Sequence, residues 1–208
     1  MKPTLTIAAA TASLLALSLT ARAAITGVTI DSVSSEWRNG PDMHALNMVN
    51  LSGLSGGGQT IDLADQWETQ PYQSSAWVIF DLNTTADISS FHIWNFNYPN
   101  YTGRGVHTLS ISTAGPDRTW TDPVPYTFNA ATGAAGDPGQ DFSLASPWAN
   151  TRYVKFDNMV YYGGGDSAGH IGMAEVQFTA ATPEPASLAF LALAAPMFLR
   201  RRSVRHNH

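Results

Sequence analysis

The sequence predicts an all-β fold, an antiparallel sandwich or barrel of about eight short strands. Three observations carry this expectation. Apolar and polar residues alternate in run after run, the runs are separated by turns rich in Gly, Pro and Asn, and no stretch between the two ends keeps a 3.6-residue period.

The runs follow in order. Ile25 to Ile30 alternates as a half-buried strand does, and Ser32 to Asp42, with Trp37, Arg38 and Gly40, reads as loop. His44 to Val49 is a short apolar patch suited to a strand or one helical turn. Leu51 to Gly58 is too rich in glycine for either and reads as a turn. Asp62 to Ser75 forms a long polar loop holding Asp65, Trp67, Glu68 and Tyr72. Loops beyond about 12 residues in a compact domain are usually functional or disordered. Ala76 to Leu82 is dense enough for a central strand, and Ile88 to Asn95 and Val106 to Ser112 alternate as two more. Pro123 to Phe128 suits an edge strand, since proline cannot donate to a ladder. Ala130 to Gln140 reads as loop, and Arg152 to Asp157 and Ile171 to Phe178 complete the set. The first and last strands are expected to pair, bringing the domain ends together.

Both ends carry processing signals. An apolar run from Leu5 to Leu19 precedes Ala21-Arg22-Ala23, which reads as a secretory signal peptide over residues 1–23, cut after Ala23. At the other end come Pro183-Glu184-Pro185, an apolar stretch from Ala186 to Leu199, and Arg200, Arg201 and Arg202. The apolar part is short for a full span, for which about 20 residues are needed, and the arginines would sit on the cytoplasmic side. These three features in this order over residues 181–208 resemble the PEP-CTERM sorting signal of Gram-negative bacteria. The resemblance implies recognition by a membrane exosortase, transient inner-membrane anchoring through the C-terminal helix, and delivery to the cell surface or an exopolysaccharide matrix.

Residues 24–180 are then one domain by length. They hold five basic and fifteen acidic residues, a net charge of −10, which the ends bring back to −5 for the whole chain. Such a surface repels phosphate backbones, so nucleic acid is not an expected partner. Cysteine is absent, so the fold uses no disulfide although an export route would allow one.

The densest chemistry lies between Trp94 and Gly105. This stretch combines Phe96, Tyr98 and Tyr101 with Asn95, Asn97, Asn100 and Arg104. A core rarely tolerates that mixture, because a buried polar group without a partner costs roughly 1–3 kcal/mol. It reads as a surface loop, either pinned by its own side chains or presenting aromatic faces and amides to a neutral, polar, ring-shaped ligand such as a sugar. Trp67, Tyr161 and Tyr162, also on predicted loops, join Phe96, Asn97, Tyr98, Asn100 and Tyr101 as candidate ligand contacts. Arg104, between two glycines, serves either the ligand or, by bidentate pairing with a carboxylate, the shape of the loop.

The order Ala76 to Leu82, Ile93-Trp94-Asn95, Arg104-Gly105-Val106, Arg152 to Phe156 and Ile171 to Phe178 resembles the discoidin, or coagulation-factor C-type, branch of the galactose-binding-like jelly rolls. The resemblance spans about Ile25 to Phe178. It implies an eight-stranded antiparallel jelly-roll β-sandwich whose loops at one end bind carbohydrate, without catalysis. Trp94, Asn95 and Arg104 carry the resemblance and are expected to anchor the loop, leaving Phe96 to Tyr101 for ligand contact. It also implies a structural calcium held by carbonyls of an early loop and a carboxylate of the last strand, which here gives Asn50 and Glu175 as ligands. The sequence departs from the pattern at Asn50 to Gly53, where relatives have an acidic residue. The other reading of Glu175 is an arginine pair or a turn cap.

Other signals point nowhere. Gly53 to Gly57 fits G-x-S-x-G without the strand-turn-helix setting that a nucleophile elbow needs. Asp62 with Asp65 or Glu68 forms an acid pair of the kind glycoside hydrolases use, on a chain where acidic clusters are common. His44, His92, His107 and His170 lack metal-ligand spacing. The expected function is therefore an exported, non-enzymatic carbohydrate-binding module. The alternatives are a structural surface or matrix protein that makes protein contacts only, and a secreted glycoside hydrolase.

Overall fold

A computed structural model describes residues 22–163 and 168–181. The sorting residues Pro183, Glu184, Pro185, Arg200, Arg201 and Arg202 lie outside the described residues, as does the signal peptide up to residue 21. Ten strands are present: β1 (Arg22–Ala24), β2 (Thr29–Val33), β3 (Leu54–Ser55), β4 (Gly58–Gln59), β5 (Trp67–Glu68), β6 (Ala76–Asn95), β7 (Val106–Ala114), β8 (Val124–Thr127), β9 (Gln140–Tyr161) and β10 (Gly172–Ala181). Three short 3-10 turns, Ala45–Met48, Leu63–Asp65 and Thr102–Arg104, are the only helical elements among the described residues.

The strand pairs are antiparallel throughout. Eight strands form one hydrogen-bonded sheet, and β3 and β4 form a separate hairpin. Two long strands turn that sheet into a sandwich. The first half of β6 pairs with β2 and with the second half of β9, whereas its second half pairs with β10 and with the first half of β9. The register of β6 against β9 slips between Asp81 and Ala86. Asn83 takes a φ of 54° there, a conformation open to asparagine, and its amide bonds the Gly27 carbonyl at 2.7 Å.

Alternation along these strands builds the core. Ala76, Val78, Phe80, Leu82, Ile88, Phe91 and Ile93 of β6 are all buried, as are Val154 and Phe156 of β9 and Val176 and Phe178 of β10. Phe80 meets Phe156 at 5.1 Å and Phe178 at 5.6 Å between ring centroids, both edge to face. Edge-to-face rings add roughly 0.5–1.5 kcal/mol to the gain from burial; Phe80 and Phe156 stand on neighbouring strands of one layer, and Phe178 reaches them from the other.

The all-β sandwich expected from the sequence is the fold observed. Several elements differ in extent. Ala76 to Leu82 and Ile88 to Asn95 are one strand rather than two, and β9 begins at Gln140, twelve residues before the alternating run at Arg152. Its first half has only β6 as a partner, so Ala145, Ser146 and Pro147 sit exposed where an interior strand would need apolar residues. β1 pairs with β10 from Arg22↔Ala181 to Ala24↔Thr179.

Candidate functional site

The Trp94 to Gly105 stretch divides into a buried half and an exposed one. Asn95 turns inward: its Nδ2 donates to the Val106 and Asn129 carbonyls at 2.7 and 2.9 Å, and its Oδ1 accepts from the Phe96 and Val106 N–H groups at 2.9 and 2.8 Å. Phe96 is fully buried against Gly172, where a Cβ would come within 2.4 Å of Phe96 Cδ2. Asn97 is fully buried too. Its Nδ2 donates to the Thr60 and Ala134 carbonyls at 3.2 and 2.8 Å, and its Oδ1 accepts from the Gly133 N–H at 2.8 Å. Trp67 is likewise enclosed, with its indole N–H on the Ser35 carbonyl at 3.0 Å.

The expectation of Trp67, Phe96 and Asn97 as surface ligand contacts is thereby corrected. The Asn95 and Asn97 side chains are satisfied internally by backbone carbonyls and N–H groups, which lets amides and aromatics share the interior. Trp94 is also buried, its ring 3.9 Å from that of His92.

The exposed half runs from Tyr98 to Tyr101. The Tyr98 and Tyr101 rings stack at 5.9 Å, with Asn100 between them at a φ of 66°. The Arg104 guanidinium lies 4.4 Å over the Tyr101 ring, and its Nη1 donates to Glu68 Oε1 at 2.7 Å. Glu68 is itself buried, beside His170. Tyr162 stands apart from Tyr98, stacked on His107 at 4.3 Å with its hydroxyl donating to the Phe128 carbonyl. Tyr161 precedes it at the end of β9, half-buried.

Tyr98 opens onto a groove of about 640 Å³. Pro41, Thr60, Ile61, Asp62, Leu63, Asp65 and Ala135 form the rest of its lining. Of the eight candidate ligand contacts, Tyr98 alone lines this groove. Asp62 caps the Leu63–Asp65 turn by accepting from the Ala64 N–H at 3.0 Å, and Asp65 accepts from the Thr60 hydroxyl at 3.2 Å. Among the described residues neither has a basic partner. The five described basic side chains are engaged elsewhere: Arg38 with Glu36, Arg104 with Glu68, Arg118 with Asp31, Arg152 with Asp81, and Lys155 with Asp157. The groove thus joins one aromatic face to two carboxylates and hydroxyl and backbone groups, with no cation in its lining.

Two amides pin its walls. Asn97 ties Thr60 to the 133–134 segment, as given above. Asn47, at 8% exposure, places one Nδ2 against three carbonyl oxygens: Asp42 at 2.9 Å, Ala64 at 2.8 Å and Gln66 at 3.0 Å.

The expected calcium does not fit this donor set. Asn50 is exposed, its Oδ1 accepting from the Ser52 N–H at 2.9 Å and its Nδ2 donating to Asn47 Oδ1 at 3.2 Å. Glu175 is buried, its Oε2 facing the Leu51 N–H at 3.0 Å, a donor where a metal would need an oxygen. No group of three His, Cys, Asp or Glu that could hold a metal ion occurs among the described residues. A calcium ion wants 6–8 oxygens, and one carboxylate facing an N–H does not begin such a shell. Burial pushes the Glu175 carboxyl up to about 8, against the opposing pull of the Leu51 N–H. Asn50 Oδ1 and Glu175 Oε2 are thus turned to the Ser52 and Leu51 N–H groups in place of a metal ion.

The G-x-S-x-G run proves to be a hairpin. Leu54–Ser55 pairs with Gly58–Gln59 across Gly56 and Gly57, both at positive φ.

No protein-family model matches the chain, and no curated protein does. Solved structures match over most of its length. The F5/8 type C domain of a Bacteroides fragilis protein superposes with a TM-score of 0.56 at 14% identity, covering 78% of this chain and 98% of that one. The lectin domain of lectinolysin, complexed with Lewis B antigen, gives 0.53 at 16% identity, with 76% and 96% covered. A family 32 carbohydrate-binding module of Clostridium perfringens, in complex with GalNAc-β-1,3-galactose, gives 0.52 at 12% identity, with 75% and 99% covered. The fold is galactose-binding-like. At these identities the likeness concerns the fold alone.

Sequence reasoning missed Pro41, Ile61, Leu63 and Ala135 as groove residues and Asn47 and Gln66 as supports. The long loop from Asp62 was singled out for its length, which was the available signal for one wall. The signal for Asn47 was an amide inside the apolar patch from His44 to Val49.

Proposed function

We propose that this domain is an exported, non-catalytic carbohydrate-binding module that holds a neutral saccharide in the groove beside Tyr98. The observation that carries this reading is the groove itself. Its volume of about 640 Å³ falls within the roughly 300–1,000 Å³ of small-molecule sites, which is room for an oligosaccharide. One face of Tyr98 suits the apolar side of a pyranose, while Thr60, Asp62 and Asp65 accept hydrogen bonds from its hydroxyls. The likeness in fold to domains complexed with Lewis B antigen and GalNAc-β-1,3-galactose supports this choice of ligand class. No catalysis belongs to this reading; Asp62 caps a turn and Asp65 accepts from Thr60, each through one oxygen, and the other oxygen is left for a sugar hydroxyl.

The delivery of the domain is part of the proposal. The signal peptide over residues 1–23 and the PEP-CTERM-like tail over residues 181–208 support export, handling by an exosortase and a final place at the cell surface or in an extracellular polysaccharide matrix. That polysaccharide is the proposed ligand. Titration of the purified protein with a panel of neutral polysaccharides, the host's own included, tests the reading. Binding that is lost in a folded Tyr98→Ala variant is expected; no binding to any of them would sink it.

A further inference from the structure

We propose that the Asn47 carboxamide takes the place of a cation in this domain, so that the groove is assembled without a metal and a single change, Asn47→Asp, makes it depend on calcium. The geometry around Asn47 carries the inference. Carbonyl oxygens of Asp42, Ala64 and Gln66, from two separate segments of the chain, converge on one nitrogen at 2.8 to 3.0 Å. An amide NH2 has two protons to donate, so three oxygens gathered round it form a shell suited to a positive centre. Carbonyl dipoles pointed at a common centre repel one another, and a hard cation with an oxygen shell is one means of holding them. Here the positive end of the amide does so.

One further contact fixes the arrangement. Asn47 Oδ1 accepts from Asn50 Nδ2 at 3.2 Å, which sets the nitrogen toward the carbonyls. Glu175, whose Oε2 accepts from the Leu51 N–H on the same segment, keeps its buried Oε1 without a hydrogen-bond partner among the described residues.

The three carbonyls belong to residues next in the chain to groove-lining ones. Pro41 precedes Asp42, and Asp62, Leu63 and Asp65 surround Ala64 and precede Gln66, so Asn47 joins the two segments that carry one end of the lining. An aspartate at position 47 offers no proton to these oxygens and adds a negative charge to them. The four oxygens would then separate unless a cation entered between them, and calcium is the ion that such a mixed carbonyl and carboxylate set selects.

The test compares thermal unfolding of the full chain with its Asn47→Asp and Asn47→Ala variants, each in chelator and in millimolar calcium, with calcium binding followed by calorimetry. The parent is expected to melt at the same temperature in both solutions and to bind no calcium. Asn47→Ala should melt lower in both. Asn47→Asp should melt lower in chelator and recover by several degrees in calcium, with one bound ion. A calcium-dependent rise in the parent, or an Asn47→Asp protein that stays as unstable in calcium as Asn47→Ala, would overturn the proposal. A saccharide arm rests on the functional reading above: binding by Asn47→Asp should require calcium. If the parent binds no saccharide, the functional reading fails and the melting comparison still decides the role of Asn47.

Discussion

The backbone N–H of Asn97 donates to Gln66 Oε1 at 2.6 Å, and Gln66 Nε2 donates onward to the Asp62 carbonyl at 2.9 Å. Both side chains are fully buried. The relay runs from the residue beside Tyr98 to the opposite wall of the groove, so the aromatic face and the carboxylates keep a fixed separation. A site whose polar contacts are set by buried supports loses function when the support goes, even though the support never meets the ligand.

Asn97→Ala removes three side-chain hydrogen bonds. Thr60 and Ala134 are near enough to solvent for water to take up part of the loss, which leaves an expected cost of about 1–3 kcal/mol. Saccharide affinity should fall at least tenfold along with the melting temperature. Tyr98→Ala should lower affinity alone, because its ring is only half-buried. Paired melting curves and titrations of the two variants separate the roles, and an Asn97→Ala protein with parental affinity would show that its side-chain bonds to Thr60, Gly133 and Ala134 do not position the groove.

Arg104→Ala is expected to act on stability first. It removes the described cationic partner of Glu68, a carboxylate at 2% exposure, and also the stack on Tyr101. Breaking a buried pair from one side costs roughly 3 kcal/mol or more. Chemical denaturation should register a loss of that order, and a melting temperature equal to the parent's would refute this role.

Glu175 gives stability a pH dependence of definite sign. Its carboxyl titrates at about 8 in the folded domain because it is buried, and near 4.3 in the unfolded chain. Between those values the native state holds a proton that the unfolded state has released. This group's contribution is therefore largest on the acid side and is lost as pH rises toward about 8, by at most roughly 1.4 kcal/mol per pH unit. The melting temperature should fall across that window in the parent and fall less in Glu175→Gln, measured in a series of buffers of equal ionic strength.

Charge should govern which polysaccharides are accepted. Asp62 and Asp65 line the groove with no cation beside them, and the five described basic side chains of the domain are paired elsewhere. An uncharged polysaccharide should bind more tightly than its uronate-bearing or sulfated counterpart, by a margin that narrows as salt rises. Asp65→Asn should narrow it further. Equal affinity for the two polymers at low salt would show that the carboxylates do not face the ligand.

How much of this was legible beforehand depended on which physical signal each feature leaves in the chain. The alternation of Ala76 to Leu82 and of Ile171 to Phe178 reports burial of one face, and that was enough for the all-β sandwich and most of its strands. The first half of β9 left no such signal, because an edge strand with one neighbour can carry Ala145, Ser146 and Pro147 at its surface. The aromatic and amide stretch from Trp94 was legible as special, and Arg104 as a residue suited to pairing.

The chain's own pattern specifies an acidic, cysteine-free β-domain with aromatics and amides crowded between Trp94 and Gly105. Which side of that stretch faces water is set by the assembled fold. Whether an asparagine meets a ligand or a buried carbonyl depends on what other segments bring to it. Gln66 lies 31 residues from Asn97 in the chain, and the carbonyls around Asn47 lie as far as 19 residues from it. Local pattern carries no record of such partners, because hydrogen-bond satisfaction is a property of assembled segments, whereas alternation is a property of one strand.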